Sequence, residues 1–255
     1  MSVTVSDLRD HLLATGLAGD TATPRSSVVG NAEALAAGDP DKHLGVGARG
    51  LDATGVMAAV AELCGCSASL DHRDGPGTID PDRTLRGLEA AGELLERAAR
   101  DRVRMLVMTG HPTGLMAMYQ ALARALAGAG VRIETPLEDV RLAPPRRRKR
   151  PRLIRYADGV GVLCTLADML HTHESWPMAA VLDAIEPPGL VLADHGYAGE
   201  AVVRGLPTIS FTDVNDPAIA VAYAAGLTEA VVPLDDNLRP GVYEPIARFL
   251  TGRFA

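Results

Sequence analysis

The pattern of apolar and polar positions changes near residue 104. Before it, apolar residues recur at helical spacing in segments such as LDATGVMAAVAELCG and DRTLRGLEAAGELLERAARD, and no clear strand is predicted. After it, short apolar runs alternate with helical ones, beginning with RMLVMT and GLMAMYQALARALAGAG. We therefore predict a helical, loop-rich N-terminal region over residues 1–100, packing on an α/β core over residues 101–255 to form one compact unit.

Short apolar strands that alternate with helices are typical of a mostly parallel sheet covered on both faces. Later strand candidates are GLVLADHG, LPTISFTD and TEAVVPLDD. Between them and the first pair, RLIRYADGVGVLCTLADMLHTHE has an Asp-Gly step among alternating residues, which predicts a β-hairpin or meander. The predicted fold is a three-layer α/β sheet, mostly parallel, with Rossmann-like topology, this inserted hairpin and the helical N-terminal region.

The turn TGHPTG follows the first predicted core strand and opens the next helix. Free N–H groups and the helix dipole favour an anion at such a place, so Thr109, Gly110, Thr113 and Gly114 are predicted to bind phosphate. His111 is predicted to be catalytic, because it can donate to phosphate, protonate a leaving group or bind a metal. The structural alternative is a tight turn capped by Thr113, with His111 exposed.

Two further polar loops follow predicted strands, at the sheet edge where α/β proteins bind ligands. Asp194 and His195 come directly after LVLA and are predicted to be catalytic, with Asp194 also a metal ligand. Asp213 and Asp216 in FTDVNDP are predicted metal ligands, since carboxylate oxygens suit hard divalent cations. Asp216 has a structural alternative as the cap of the helix that starts at Pro217.

Two other segments offer metal-binding side chains. His171 and His173 in LHTHES are separated by one residue, so on a strand they would share a face, and we predict both as metal ligands. The alternative is a pair of polar residues at a strand end. Asp235 and Asp236 in PLDDNLRP either reach the same crevice or form a turn.

Charge and hydropathy limit the partners. The formal net charge of −7 argues against general nucleic-acid binding, which needs a broad basic face. Six of the seven residues from Arg146 to Arg152 are basic, which indicates either a solvated loop or a lid that attracts an anionic substrate. Without a signal-like start or an apolar run near ~18 residues, we expect a soluble cytoplasmic protein without membrane contacts, and a homodimer as the default assembly.

Several phosphate chemistries are excluded by the residues. The chain has only Lys42 and Lys149, which removes a Walker loop and leaves no candidate for a pyridoxal Schiff base. The arginine of GVGARG, Arg49, is a candidate phosphate-binding residue, although no apolar strand precedes that glycine-rich segment. DPDRT matches the D-x-D-x-T of haloacid-dehalogenase-like phosphatases, but without a buried strand before it Asp80 or Asp82 is expected to start a helix.

The segments LGVGARGLDATGV, DGPGTIDPDRTLRGL, TGHPTGL, RYADGVGVL, HTHES, ADHGYAGEA, TDVNDPA and VVPLDDNL together resemble an actinobacterial family of phosphatases. The resemblance spans almost the whole chain, from about Gly45 to Leu238. It implies hydrolysis of a phosphomonoester of a small metabolite, and carries no assignment of catalytic residues.

These features predict a metal-dependent hydrolase of a small phosphorylated metabolite. TGHPTG would bind phosphate, Asp194 and Asp213 would hold a divalent cation, and His111 or His195 would act as general acid or base. Mg²⁺ is the first expectation, with Mn²⁺ and Zn²⁺ as alternatives. The competing hypotheses are a non-catalytic binder or sensor of a phosphometabolite or nucleotide, and another enzyme of phosphorylated sugars, such as an isomerase, lyase or transferase.

Overall fold

The computed structural model describes residues 3–143 and 152–254, so of the predicted basic run only Arg152 lies within it. The helices are α1 (Val5–Thr15), α2 (Arg25–Ala36), α3 (Ala53–Cys64), α4 (Pro81–Asp101), α5 (Pro112–Gly128), α6 (Trp176–Asp183), α7 (His195–Val203), α8 (Pro217–Ala224) and α9 (Glu244–Thr251), with a 3-10 turn at Pro240–Tyr243. The strands are β1 (Gly19–Pro24), β2 (Pro76–Ile79), β3 (Arg104–Met108), β4 (Arg132–Ile133), β5 (Arg141–Leu142), β6 (Arg152–Ala157), β7 (Val160–Cys164), β8 (Leu190–Ala193), β9 (Thr208–Thr212) and β10 (Ala230–Pro233).

The main sheet has the order β10-β9-β8-β3-β7-β6-β5, and β4 pairs with β3 beside β7. From β10 to β7 all neighbours are parallel, whereas β7, β6 and β5 are antiparallel. The predicted hairpin is confirmed as β6 and β7, which turn at Asp158 and Gly159, both with positive φ. The predicted α/β class with a mostly parallel sheet is confirmed, while the Rossmann-like description stays a prediction.

The strand order reverses between β3 and β8. After β3 the chain adds β4 and then β7 on one side, and it later returns to place β8, β9 and β10 successively on the other side. Parallel α/β sheets bind ligands in the crevice that opens at the carboxyl ends of the strands where such a reversal occurs. The loops after β3 and β8 therefore meet at the expected position of a binding site.

The expectation of no strand before Arg104 is wrong. β1 and β2 form a separate two-stranded antiparallel sheet, in which Gly19 pairs with Ile79. β1 does alternate buried and exposed positions, but its buried members Thr21 and Thr23 are polar. Apolar periodicity misses this strand, because pairing and burial rather than hydrophobic side chains define it.

The long helix α4 begins as the residues around DPDRT suggest. Asp80 is its N-cap residue and accepts a hydrogen bond from the Asp82 N–H over 2.9 Å. A strand does precede Asp80, contrary to expectation, but it is β2 of the small sheet and not a strand of the main one. These contacts support a capping role for Asp80 at the start of α4 rather than the role of a phosphatase nucleophile.

The N-terminal helices pack directly against the main sheet and its helices. A Cβ atom on Gly87 of α4 would collide with the backbone of Val231 in β10, so the glycine allows this helix to lie close to the strand. Buried apolar residues from α1 to α9 form one continuous core. In the part of the chain that the structure covers, no helix combines the length and apolar character needed to cross a membrane.

Candidate active site

Four of the seven histidines meet at the reversal between β3 and β8. The rings of His111 and His171 stack with their centroids 4.6 Å apart, and those of His173 and His195 stack at 4.9 Å. The two pairs are joined, since the His171 and His195 centroids are 5.2 Å apart. Of the four, His111 and His195 are each only 3% exposed, so this cluster is partly internal.

The TGHPTG turn places His111 inward. His111, not Thr113, occupies the N-cap position of α5, and the alternative with an exposed histidine is wrong. Thr109 is fully buried, and its hydroxyl accepts a hydrogen bond from the His111 N–H over 2.9 Å, which closes the turn. Thr113 is exposed. The turn thus presents an imidazole to the crevice.

The two glycines of this turn have packing roles. The Gly110 N–H donates to Asp194 Oδ1 over 2.7 Å, and the Gly114 N–H donates to the His111 carbonyl over 3.3 Å. A Cβ atom on Gly114 would collide with the carbonyl oxygen of Asp236, so this glycine lets the loop after β10 approach α5. Phosphate binding by the turn stays a prediction, because both of these N–H groups have partners within the protein.

Asp194 orients His195. Asp194 is fully buried, and its Oδ1 accepts hydrogen bonds from the Gly110 N–H and from His195 Nδ1, the latter over 2.9 Å. The Nε2 atom of His195 then faces Asp216 Oδ2 at 3.5 Å and Asp236 Oδ2 at 3.6 Å. A carboxylate that accepts from one imidazole nitrogen fixes the other nitrogen as a metal donor, so this geometry gives Asp194 an orienting role.

The backbone at His195 is unusual. Its φ of +47° places a non-glycine residue in the left-handed region, at the junction of β8 and α7. This conformation is uncommon for a side chain larger than glycine and is concentrated at functional sites. The sharp turn places the imidazole at the strand end, beside Asp194.

His171 and His173 reach the cluster from a loop. The prediction that the two histidines share one face of a strand is wrong, because residues 170–174 form no strand. The Thr172 N–H instead donates to the Gly110 carbonyl over 2.9 Å and fixes the loop on the TGHPTG turn. His173 Nδ1 lies 3.2 Å from the Asp41 carbonyl, which can only accept, so Nδ1 carries the proton and Nε2 remains available as a donor atom.

The four aspartates at the ends of β9 and β10 divide into two pairs. Asp213 accepts hydrogen bonds at both oxygens, from the Thr23 hydroxyl over 2.6 Å and the Val214 N–H over 2.7 Å. Asp235 likewise accepts from backbone N–H groups, including that of Ala22 in β1. Asp213 and Asp235 thus connect the small sheet to the core through hydrogen bonds from β1. Burial and the nearby carboxylate of Asp236 raise the pKa of Asp213 well above its usual value.

Asp216 and Asp236 face the histidines. Asp216 occupies the N-cap position of α8, but its side chain makes no capping hydrogen bond and approaches His195. Asp236 Oδ1 lies 3.3 Å from His111 Nδ1. The sequence left Asp236 undecided between the crevice and a turn, and the structure places it in the crevice. A polar pair directly after a predicted strand was the only signal for it.

The cluster has the donor atoms of a metal site. Two ligand sets, His111 with His171 and His195, and His173 with His195 and Asp216, each bring donor atoms within 4.8 Å of one another. They share His195, whose Nδ1 is bound to Asp194, so both sets depend on its Nε2. Among the described residues, His111 Nδ1 and Asp236 Oδ2 are buried without a hydrogen bond of normal geometry, and each has only an ion-pair contact, at 3.3 and 3.6 Å respectively. Such orphaned atoms are uncommon in protein interiors, and a cation would satisfy them.

The ionisation of the cluster is strongly perturbed. Burial disfavours the charged form of His195, but Asp216, Asp194 and Asp236 outweigh it and raise the pKa to about 10. Burial and the neighbouring imidazoles lower the pKa of His171 to about 4, which makes it a neutral donor. Burial raises the pKa of Asp216; for Asp236 it acts in the same direction, but the nearby imidazoles lower the pKa overall. With a pKa of about 10, His195 holds a proton on each ring nitrogen at neutral pH in the metal-free protein, so a cation that binds at Nε2 would displace one of them.

Two predicted phosphate-binding residues are exposed. Arg49 lies in the loop between α2 and α3 with a φ of +50°, and Thr113 lies on the outer side of α5. Within residues 3–143 and 152–254, neither side chain makes a hydrogen bond or ion pair with the cluster. Their role stays a prediction.

Two comparisons agree with the sequence resemblance. A sequence model of the family described as Phosphatase matches residues 3–255. A protein of Streptomyces coelicolor named Phosphatase SCO2771 is 38% identical over 253 residues, which cover 96% of this chain and 94% of that relative. The match extends through every segment that supplies the cluster. The chain belongs to this family of phosphatases.

Proposed function

We propose that the protein is a metal-dependent phosphatase that hydrolyses a phosphomonoester of a small metabolite. The observation that carries the proposal is the convergence of four imidazoles and the carboxylates of Asp216 and Asp236 at the strand-order reversal of a phosphatase-family chain. The buried atoms His111 Nδ1 and Asp236 Oδ2, which make no hydrogen bond within the part of the chain that the structure describes, support the presence of a cation.

Electrostatics supports the metal requirement. Asp194, Asp216 and Asp236 lie within 3.6 Å of the imidazole of His195, so a phosphate placed there meets several carboxylates. Two like charges 4 Å apart repel by about 4 kcal/mol at an effective dielectric constant of about 20. When bound, a divalent cation supplies the positive charge that offsets this repulsion and the charge developing on the phosphoryl oxygens.

The donor set favours a transition metal. The carboxylate loops suggested Mg²⁺ first, but Mg²⁺ prefers oxygen ligands and water. Imidazole nitrogens suit Zn²⁺ and other first-row ions, and Mn²⁺ accepts mixed nitrogen and oxygen ligands. We therefore propose that Zn²⁺ or Mn²⁺ activates the protein better than Mg²⁺.

We assign metal-binding and orienting roles to the residues of the cluster. His111, His171, His173 and His195, with Asp216 and Asp236, would hold the cation, and Asp194 would keep His195 in the correct tautomer. His111 and His195 were predicted as general acid or base, yet their burial suits ligand roles better.

The proposal also covers the size of the substrate, the location of the protein and its assembly. A cavity of about 210 Å³ beside the cluster suits a small phosphorylated substrate, and the net charge of −7 disfavours nucleic acid. We propose a cytoplasmic protein that works without membrane contacts, as a homodimer by default. The reversal of strand order supports a Rossmann-like description of the core.

Phosphate release from metal-stripped protein tests the proposal. The protein would be incubated with a panel of phosphorylated metabolites, with Zn²⁺, Mn²⁺ or Mg²⁺ added in turn. We expect release that depends on one metal, that is lost in His171→Asn, and that persists in the matched control His72→Asn, since His72 is exposed and outside the cluster. Ligands that raise the melting temperature without any phosphate release would favour the binder or sensor and overturn the hydrolase.

A further inference from the structure

A cavity next to the histidine cluster contains a positive charge. It has a volume of about 210 Å³. Its walls include Asp41, Arg152, Leu163, Leu170 and the segment from His171 to Glu174. Because His171 and His173 belong both to this cavity and to the cluster, a substrate whose phosphate lies at the cluster would extend its other end into the cavity.

Arg152 is held at the cavity by the sheet. It is the first residue of β6, and its backbone pairs with Leu142 of β5. The neighbouring Leu153 is buried and pairs with Cys164 of β7, so the strand is anchored in the core from its second residue onward. The sheet therefore holds in place the backbone that carries the guanidinium of Arg152.

The Nη1 atom of Arg152 is buried and has no hydrogen-bond partner within the described ranges. A guanidinium stays charged at every physiological pH, so this N–H group is a buried donor on a cation. Leaving such a donor unpaired is costly, and an oxyanion that accepts from it would recover that cost.

The acidic residues of the same cavity have partners. Asp41 forms an ion pair with Lys42 at 3.2 Å and lies 3.7 Å from His173 Nδ1. Glu174 accepts a hydrogen bond from the indole N–H of Trp176 over 2.8 Å. Within the described ranges, neither carboxylate forms an ion pair with Arg152, so the guanidinium can pair with an anionic ligand.

We propose that Arg152 binds a second anionic group of the substrate, so that the protein selects phosphomonoesters whose leaving part carries a carboxylate or another phosphate. The inference rests on the proposed function for the position of the first phosphate. In this proposal, the guanidinium of Arg152 determines which substrates are preferred. The cavity is the subsite that holds the part of the substrate released from the phosphate.

Arg152→Gln tests the proposal against Arg141→Gln, because Arg141 is exposed on the adjacent strand β5 and does not line the cavity. The assay compares kcat/KM for 3-phosphoglycerate and for a sugar bisphosphate with that for glycerol phosphate. We expect Arg152→Gln to lower this preference about 10- to 100-fold, mainly through KM, as for a lost hydrogen bond to a charged group. Arg152→Lys should restore part of it, and Arg141→Gln should keep it.

Calorimetric titration separates this inference from the proposed function, because it needs no turnover. With metal-loaded protein, Arg152→Gln should weaken binding of the non-hydrolysable phosphonate analogue of 3-phosphoglycerate about 10- to 100-fold and leave the affinity for inorganic phosphate within about twofold of that of the unmodified protein. Equal weakening of inorganic phosphate and of every phosphomonoester would show that Arg152 binds the transferred phosphate instead, and would overturn the proposal. Identical behaviour of Arg152→Gln and Arg141→Gln would also overturn it.

Discussion

Replacing Asp194 by asparagine should impair metal binding without unfolding the protein. Asp194 Oδ1 accepts from the Gly110 N–H at 2.7 Å and from His195 Nδ1 at 2.9 Å, and the residue is fully buried. Asparagine has nearly the same shape and keeps one oxygen acceptor, but it carries no charge. It therefore preserves the packing and weakens the control over which nitrogen of His195 holds the proton.

The size of the effect follows from these contacts. Loss of a carboxylate that orients a metal-binding histidine typically costs about 10- to 100-fold in metal affinity, or about 1.4–2.8 kcal/mol. The two hydrogen bonds to Asp194 persist but lose charge assistance, so the free energy of unfolding of the metal-free protein should fall by no more than about 2 kcal/mol. Asp194→Ala removes both acceptors and should cost about 1–3 kcal/mol for each donor left unpaired.

A competition titration against a chromophoric chelator measures the metal affinity, and urea unfolding of the metal-free protein measures the stability. Asp52→Asn is the matched control: Asp52 caps α3 through the Gly55 N–H, and asparagine is an equally good N-cap. We expect weakened metal binding in Asp194→Asn alone. Unchanged metal affinity in that variant would refute the orienting role, whatever happens to phosphate release.

Three further predictions concern stability. Gly199→Ala places a Cβ atom against the carbonyl oxygen of Leu44 and should lower the free energy of unfolding in urea by about 1–3 kcal/mol. Its control is Gly30→Ala, in open space within α2, which should raise that free energy by about 0.5–1 kcal/mol. Equal effects of the two substitutions would contradict the packing argument. Thr23→Val removes the donor to buried Asp213 and should cost about 1–3 kcal/mol in the same assay, so unchanged stability would refute the tie between the small sheet and the core. Metal at 1,000 times its dissociation constant should stabilise the folded protein by about 4 kcal/mol in a thermal scan, and a melting temperature insensitive to Zn²⁺ and Mn²⁺ would oppose a site in the native state.

The sequence predicts the part of the site that follows from strand ends. RMLVMT and LVLA are recognisable as buried parallel strands, so the residues after them, His111, Asp194 and His195, could be placed at one sheet edge before the structure was known. The hairpin was also predictable, because Asp158 and Gly159 have the chemistry that a tight turn requires.

Other features depend on contacts distant in sequence. The loop with His171 and His173 is positioned by a hydrogen bond from Thr172 to Gly110, which no local pattern encodes. Asp213 was predicted as a metal ligand, but both its oxygens accept from protein groups, one of them from Thr23 in a strand that the apolar pattern missed. Asp194 was predicted as a ligand from its residue type, while its orienting geometry depends on which donors the fold brings to it.

The most direct test of the metal-dependent account is anomalous diffraction from crystals grown with Zn²⁺ or Mn²⁺, recorded at the absorption edge of the ion. The account predicts one strong peak bonded to His195 Nε2, about 2.0–2.2 Å from it, with Asp216 or Asp236 among the other ligands. An absence of any peak at the four histidines, together with phosphate release that persists in metal-stripped protein, would contradict it.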